Sequence, residues 1–165
     1  MGFWKSRKTL EAGQRAPDFE LPALTGQPRS LKTILENGPA VLAFFKVSCP
    51  VCQFTFPFLE RLHQGAGPGK LQFIAISQDD VRSTRDYNRE YGVTFTTLLD
   101  EAGKGYVVSN AFGITAVPSL FLVEPDGNIS LASAGFSKQD IETLAARAGV
   151  TPFRPGEYVP EWQAG

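Results

Sequence analysis

A continuous apolar stretch that leads directly into an amphipathic helix constrains the fold of this chain more than any other feature. Residues 40–45 (AVLAFF) have the length and composition of a strand that is buried on both faces of a sheet. A helix is predicted to follow from Pro50 to about Gln64, because apolar side chains recur there at helical spacing. These side chains are Val51, Phe54, Phe58 and Leu62. This strand–helix unit indicates an α/β fold.

Strand-like and helix-like patterns alternate along the rest of the chain. The sequence predicts a strand at 71–77, a helix at 81–91 ended by Gly92, a short strand at 96–99 and a weaker helix at 103–112. A hairpin at 119–124 and 129–134, joined by the turn PDGN, leads into a last helix that Ser137 caps and that runs to about residue 148. This order predicts a three-layer α/β/α sandwich on a mixed central sheet.

Turn-forming residues near the start of the chain predict an N-terminal β-hairpin extension. The turn residues TGQP (25–28) separate two short strand-like stretches, 19–21 and 30–31. We divide the chain into an N-terminal tail (1–12), one folded domain (13–148) and an irregular C-terminal tail (149–165). The C-terminal tail contains several prolines, and its aromatic side chains offer anchors for packing against the domain. These side chains are Phe153, Tyr158 and Trp162.

Charge and hydropathy argue against a nucleic-acid partner and against a membrane span. Sixteen basic and seventeen acidic side chains give a net charge of −1, and no run of Lys or Arg suggests a nucleic-acid interface. No apolar stretch approaches the roughly 20 residues that span a bilayer. The first residues also lack the apolar segment of a secretory signal. We therefore expect no nucleic-acid partner, no membrane span and a cytoplasmic location.

The only two cysteines lie together in the motif CPVC, at residues 49–52. Two intervening residues allow both sulfurs to close a disulfide, and the start of a helix favours a thiolate on Cys49. Cys49 occupies the expected N-cap position, and Pro50 suits the first helical position because it has no N–H to leave unbonded. In a reducing compartment, such a pair indicates redox catalysis or metal binding rather than a structural disulfide.

A metal site is the less favoured of these two interpretations. Zinc takes about four ligands, and His63 is the only other soft donor in the chain. A helix that continues from Cys52 to His63 would place them roughly 16 Å apart, too far to share an ion. We expect no metal and no cofactor other than the redox-active pair Cys49–Cys52 itself.

The chain resembles the thioredoxin-fold superfamily. Four sequence features carry this resemblance, which covers about residues 13–148. The resemblance is strongest to the TlpA- and ResA-like thiol–disulfide oxidoreductases, which share a redoxin (AhpC/TSA-like) N-terminus. Residues 13–21 (GQRAPDFEL) are similar to the G-x-x-A-P-D-F-x-L opening of that branch, and CPVC follows the first long strand. Pro57 falls where thioredoxins kink this helix, and residues 113–122 (GITAVPSLFL) resemble the loop that bears the family's cis-proline.

The resemblance implies a mechanism and a docking site. Cys49 would attack a substrate disulfide, and Cys52 would then resolve the mixed disulfide. The Val117–Pro118 bond would be cis, and the backbone of Val117 would pair with an extended substrate. The implied partners are protein or small-molecule thiols and disulfides, together with a reductant or oxidant that the sequence does not identify.

The chain departs from the family pattern at the positions that usually supply acids. Ala43 stands where thioredoxins carry a buried Asp, and Thr55 stands where the ResA-like branch carries a Glu. Ser48 replaces the Trp that usually precedes the motif. Cys52 therefore lacks both familiar proton acceptors.

Two other polar side chains are candidates for supporting the cysteines. Lys46 ends the first buried strand and would stabilise the Cys49 thiolate by its charge, although a solvated lysine is the simpler interpretation. Asp79 and Asp80 end the second strand, at the sheet edge where α/β folds place their sites. They are candidates for a proton relay, but one of them is better explained as a helix N-cap.

Two alternative functions stay open. A peroxiredoxin-like thiol peroxidase would need the motif P-x-x-x-T-x-x-C, whose Pro and Thr positions are Leu42 and Lys46 here. A redox-inert binding module with this fold would use the groove at Val117–Pro118 or the aromatic tail for a partner. The loss of both acids favours such a module, whereas the presence of both cysteines favours an oxidoreductase.

Overall fold

The computed structural model describes residues 8–165, so residues 1–7, most of the predicted N-terminal tail, lie outside it. The strands within the described residues are β1 (Glu20–Pro22), β2 (Pro28–Ser30), β3 (Ala40–Phe45), β4 (Gln72–Ser77), β5 (Thr96–Leu99), β6 (Ser119–Val123), β7 (Ile129–Ala134), β8 (Phe136–Ser137) and β9 (Trp162–Gln163). The helices there are α1 (Leu31–Leu35), α2 (Pro50–Gly65), α3 (Val81–Tyr91), α4 (Val107–Ala111) and α5 (Lys138–Ala148), with one 3₁₀ turn (Ala102–Lys104).

A mixed sheet with the strand order β5-β4-β3-β6-β7 forms the centre of the fold. The central strand β3 pairs in parallel with β4 and antiparallel with β6, and all of its residues are buried. Its side chains alternate between two apolar clusters, one on each face of the sheet. Helices α2, α3 and α5 contribute to one cluster, and α1 and α4 contribute to the other. The predicted three-layer sandwich on a mixed sheet is therefore confirmed, as is the hairpin formed by β1 and β2.

Helix α2 begins after a short loop, residues 46–49, that follows β3, because local chemistry favours a helix start at its end. Cys49 caps the helix through its side chain, and Pro50 supplies the first helical residue. Pro57 lies inside this continuous helix, which buries Cys52, Phe56, Leu59 and Leu62, among others, against the sheet. The predicted boundaries, Pro50 to about Gln64, agree with the structure to within one residue.

The helix predicted at 103–112 is wrong in its first half. A 3₁₀ turn ends there at Gly105 (φ 80°), and Tyr106 also has a left-handed backbone (φ 50°). A continuous helix cannot pass through two left-handed residues, so α4 begins only at Val107. Helix α1 was not predicted; Ser30 caps it by accepting a hydrogen bond from the Thr33 N–H.

Residues 149–165 form a segment that packs on the domain and ends in a strand. We call these residues the C-terminal segment. Its strand β9 pairs antiparallel with β8, immediately before α5. Across residues 8–165, no helix has both the length and the apolar character needed to cross a membrane.

Candidate dithiol site

The two cysteines lie at the carboxyl end of β3, where the chain turns into α2. Cys49 is partly exposed, and its sulfur accepts a hydrogen bond from the Cys52 N–H at 3.1 Å. The sulfur therefore takes the place of the Ser or Asp oxygen that commonly caps a helix. The first N–H groups of α2 and the positive end of its dipole therefore lie at the exposed sulfur.

Cys52 lies one turn further along α2 and is completely buried. Burial raises the pKa of the Cys52 thiol far above its ordinary value, and a hydrogen bond with the Cys49 side chain raises it further. Neither sulfur is part of a disulfide within the described residues. The pair thus presents one accessible sulfur and one protected, protonated sulfur.

The predicted cis-proline loop lies directly against the cysteine pair. The Val117–Pro118 peptide bond is cis. The Cys49 thiol donates to the Val117 carbonyl oxygen at 3.4 Å, although 68 residues separate the two in sequence. The structure therefore brings together the predicted catalytic residues and the predicted substrate-binding residues.

Asp79 contacts the loop between β3 and α2 rather than either sulfur. Its carboxylate accepts the Val47 N–H at 2.8 Å. On the other side of the same residue, the Gln53 side chain donates to the Val47 carbonyl at 2.8 Å. Val47 is thus held from both sides, two residues before Cys49. The contact of Gln53 was not predicted, because it depends on the path of this loop.

The other two charged candidates have structural contacts of their own. Asp80 caps α3 by accepting the Ser83 N–H at 2.8 Å, as the N-cap interpretation predicts, and this bond lowers the pKa of its carboxyl group. Lys46 is exposed, and its ammonium group lies 6.0 Å from the centre of the Tyr106 ring. The side chain of Lys46 is therefore engaged by an aromatic ring on another loop.

A buried tyrosine, Tyr87, belongs to the same apolar cluster as Cys52. Ala43 and Thr55 are both buried, and the Thr55 hydroxyl donates to the Val51 carbonyl of its own helix. The Tyr87 hydroxyl is buried and has no hydrogen-bond partner among residues 8–165. Burial, followed by the charges of Cys52 and Cys49, raises the pKa of Tyr87 well above its ordinary value. No local pattern marks this residue, because only tertiary packing brings α3 to the cysteines.

The histidine is a packing residue in this structure. The His63 ring lies 5.6 Å from the ring of Phe95 and 6.3 Å from that of Phe73, in edge-on geometry. In the part of the chain that the structure describes, no three His, Cys, Asp or Glu side chains cluster closely enough to hold a metal ion.

Comparisons with known proteins agree with this geometry. The profile of the AhpC/TSA family matches residues 12–132. The thiol-disulfide oxidoreductase ResA of Halalkalibacterium halodurans is 28% identical over 142 residues, which cover 85% of this chain and 78% of ResA.

Two solved structures from Mycobacterium tuberculosis are also similar. DsbF, in its mixed oxidized and reduced forms, is 27% identical with a TM-score of 0.66, covering 78% of this chain and 92% of DsbF. Peroxidoxin BcpB is 24% identical with a TM-score of 0.71, covering 85% of this chain and 97% of BcpB. At that identity, the likeness to BcpB concerns the fold alone.

Proposed function

This chain belongs to the AhpC/TSA family, and from that premise we propose that it is a thiol–disulfide oxidoreductase working through Cys49 and Cys52. One observation carries the proposal: the partly exposed Cys49 sulfur caps α2 at 3.1 Å from the Cys52 N–H, while Cys52 itself is buried. This arrangement separates an attacking thiol from a resolving thiol. The similarity to ResA and DsbF supports the same chemistry.

The reaction proceeds in two exchanges. The Cys49 thiolate attacks one sulfur of a substrate disulfide, forms a mixed disulfide, and releases the other substrate sulfur as a thiolate that takes up a proton. Cys52 then loses its proton and attacks the Cys49 sulfur, which releases the second substrate thiol. Two electrons pass to the substrate, and the protein is left with a Cys49–Cys52 disulfide. An external dithiol restores the reduced pair, and the same steps in reverse oxidise a substrate.

The substrate is proposed to dock as an extended chain along the backbone of Val117. The Val117 carbonyl already lies within reach of the Cys49 sulfur, so a disulfide held there would be close to the attacking thiolate. Protein or small-molecule disulfides are the proposed substrate class, and the proposed location is the cytoplasm. Cell fractionation tests the location independently of the chemistry.

The peroxidase and binding-module alternatives make different demands on the site. The peroxidase motif would require Pro and Thr at positions 42 and 46, which are a buried Leu42 and an exposed Lys46 directed at Tyr106. A redox-inert module would not need an accessible sulfur at a helix N-terminus. We therefore favour disulfide exchange over both.

Single cysteine variants test the proposal. Cys52→Ser should accumulate mixed disulfides with a substrate protein through Cys49, because the resolving thiol is missing. Cys49→Ser should form none, and both variants should lose catalysis of insulin reduction by dithiothreitol. Equal insulin reduction by the wild type and both variants would refute the proposal, and rapid peroxide consumption without insulin reduction would favour the peroxidase. The reduction potential of the wild-type pair then distinguishes a reductant from an oxidant.

A further inference from the structure

The C-terminal segment runs along α2 toward the dithiol site. Near the far end of the helix, Arg61 donates to the Pro152 carbonyl at 2.6 Å. The adjacent Phe153 ring packs 5.4 Å from the ring of Phe58. The segment is therefore fixed to α2 well before it approaches the cysteines.

An ion pair forms the main polar anchor of the segment. Both terminal nitrogens of Arg61 donate to the Glu157 carboxylate at 2.8 Å, and the Arg154 N–H donates to the same carboxylate. The side chains of Arg61 and Glu157 are only 20% and 27% exposed. A two-pronged bond with limited solvent access is the stronger kind of Arg–carboxylate pair.

The end of the segment reaches the predicted docking edge. Strand β9 pairs with β8, and the Trp162 indole N–H donates to the Ala134 carbonyl at 3.1 Å. Gly165 lies so close to the Val117 carbonyl that a side chain at this position would collide with it. The same is true of Gly135 and the Gln163 carbonyl, so the two stretches of backbone are in direct contact.

We propose that the C-terminal segment occupies the substrate-docking edge, and that a polypeptide disulfide reaches Cys49 only after displacing it. The assignment of this edge to the substrate depends on the proposed function. The observation behind the proposal is that one carbonyl, that of Val117, faces both Cys49 and Gly165. The segment also pairs with β8 as a short antiparallel strand, in a two-stranded sheet separate from the central one, and such main-chain pairing is a common way for extended peptides to bind.

The contacts near the site suit a displaceable segment. Strands β8 and β9 have only two residues each, and residues Trp162 and Tyr158 are 59% and 75% exposed. A short ladder with little apolar burial opens at a small fraction of the free energy of global unfolding. The anchor at Arg61 holds the segment nearby when its end is displaced.

The test compares two glutamates with matching surroundings. Glu157 and Glu124 each accept both nitrogens of one arginine and a third donor, but Glu124 joins α5 to the end of β6, outside the C-terminal segment. Glu157→Ala should accelerate the modification of Cys49 by a polymer-linked maleimide by about two- to fivefold, the population shift expected from loss of one partly exposed ion pair. Glu124→Ala should leave this rate unchanged. Iodoacetamide, a small reagent, should respond less than the maleimide.

A second variant and a peptide keep the test decisive if Glu157→Ala does not fold. Trp162→Ala removes the indole bond from an exposed position and should also accelerate the modification. A synthetic peptide with the sequence of residues 157–165 should slow it again in trans. Rates within experimental error of the wild type for both variants would overturn the proposal. Faster modification without insulin reduction by any form would instead retain this proposal and overturn the proposed function.

Discussion

At the scale of single residues, burial distinguishes the two thiols. Cys49 has a helix N-terminus and partial access to solvent, whereas Cys52 is enclosed by the apolar cluster that also contains Phe45, Phe56 and Tyr87. A buried thiolate is unfavourable, so Cys52 retains its proton in the free protein. The order of attack in the proposed mechanism, Cys49 before Cys52, therefore matches the two environments, although Ala43 and Thr55 stand at the positions of the usual acids.

The raised pKa of Cys52 predicts an unusual pH dependence. In Cys49→Ser, burial of Cys52 persists, so its alkylation at pH 8 should be more than about tenfold slower than that of Cys49 in Cys52→Ser. The rate should continue to rise well above pH 8.5, where an ordinary thiol levels off. Iodoacetamide kinetics followed by mass spectrometry measure both quantities. A plateau near pH 8.5 would contradict the prediction.

The same shift has a consequence for stability. The unfolded chain releases the Cys52 proton near pH 8.5, whereas the folded chain retains it. Stability therefore falls as pH rises above this value, by at most about 1.4 kcal/mol per pH unit from this group. Replacing Cys52 by Ala, as a control, should remove this contribution from denaturant titrations.

At the scale of elements, the end of β4 supports two different structures. Asp79 holds the loop before α2 through Val47, whereas its neighbour Asp80 caps α3 through Ser83. Two adjacent carboxylates of the same type thus provide a matched pair, one connected to the dithiol site and one to a distant helix.

This difference predicts separable effects on activity and stability. Asp79→Ala should slow insulin reduction by about tenfold, because small displacements of a reacting group are costly in rate. Asp79→Asn keeps an acceptor for Val47 and should restore most of the rate. Asp80→Ala should lower the free energy of unfolding by about 1 kcal/mol and leave the rate nearly unchanged. Equal losses of rate in the two alanine variants would show that Asp79 does not position the site.

The elements that the sequence predicts best have capping residues or a terminating glycine at their ends. Asp80 and Gly92 mark both ends of α3, and Ser137 marks the start of α5, so these boundaries agree with the structure. The prediction failed where a local signal was weak or contradictory. Tyr106 adopts a left-handed backbone that its side chain does not suggest, and α1 is only five residues long.

At the scale of the whole molecule, the sequence predicts the layers and the cysteine site but not the route of the C-terminal segment. The apolar pattern of β3 and the position of CPVC are enough to predict the layers and the cysteine site. The route of the C-terminal segment depends on contacts such as that of Arg61 with Glu157, which are 96 residues apart. No spacing rule links such a pair, so only the folded structure shows that the segment returns to the dithiol site.

The ion pair of Glu157 predicts that acid releases the C-terminal segment. Bonding to Arg61 lowers the pKa of the Glu157 carboxyl to about 2. A lowered pKa means that docking is fully supported above the ordinary glutamate value of about 4.3 and is lost as pH falls toward 2. Fluorescence of Trp162, in a Trp4→Phe background that leaves it the sole tryptophan, should report this release.

Matched variants identify the group that is responsible. Glu157→Gln should abolish the acid transition of the Trp162 signal, whereas Glu124→Gln should keep it. Circular dichroism distinguishes release of the segment from global unfolding. An unchanged transition in Glu157→Gln would assign the effect to another carboxyl group.

The cap of helix α2 links catalysis to folding through one atom. The Cys49 sulfur that accepts the Cys52 N–H is the same sulfur that becomes bonded when the pair is oxidised. Each oxidation therefore draws this sulfur into the disulfide, and each reduction returns it to the helix start. Whatever free energy the hydrogen bond to the Cys49 sulfur contributes in the reduced form favours the reduced pair, by about 30 mV of potential for each 1.4 kcal/mol. A change that strengthens this bond only in the reduced form would thus make the protein a stronger oxidant.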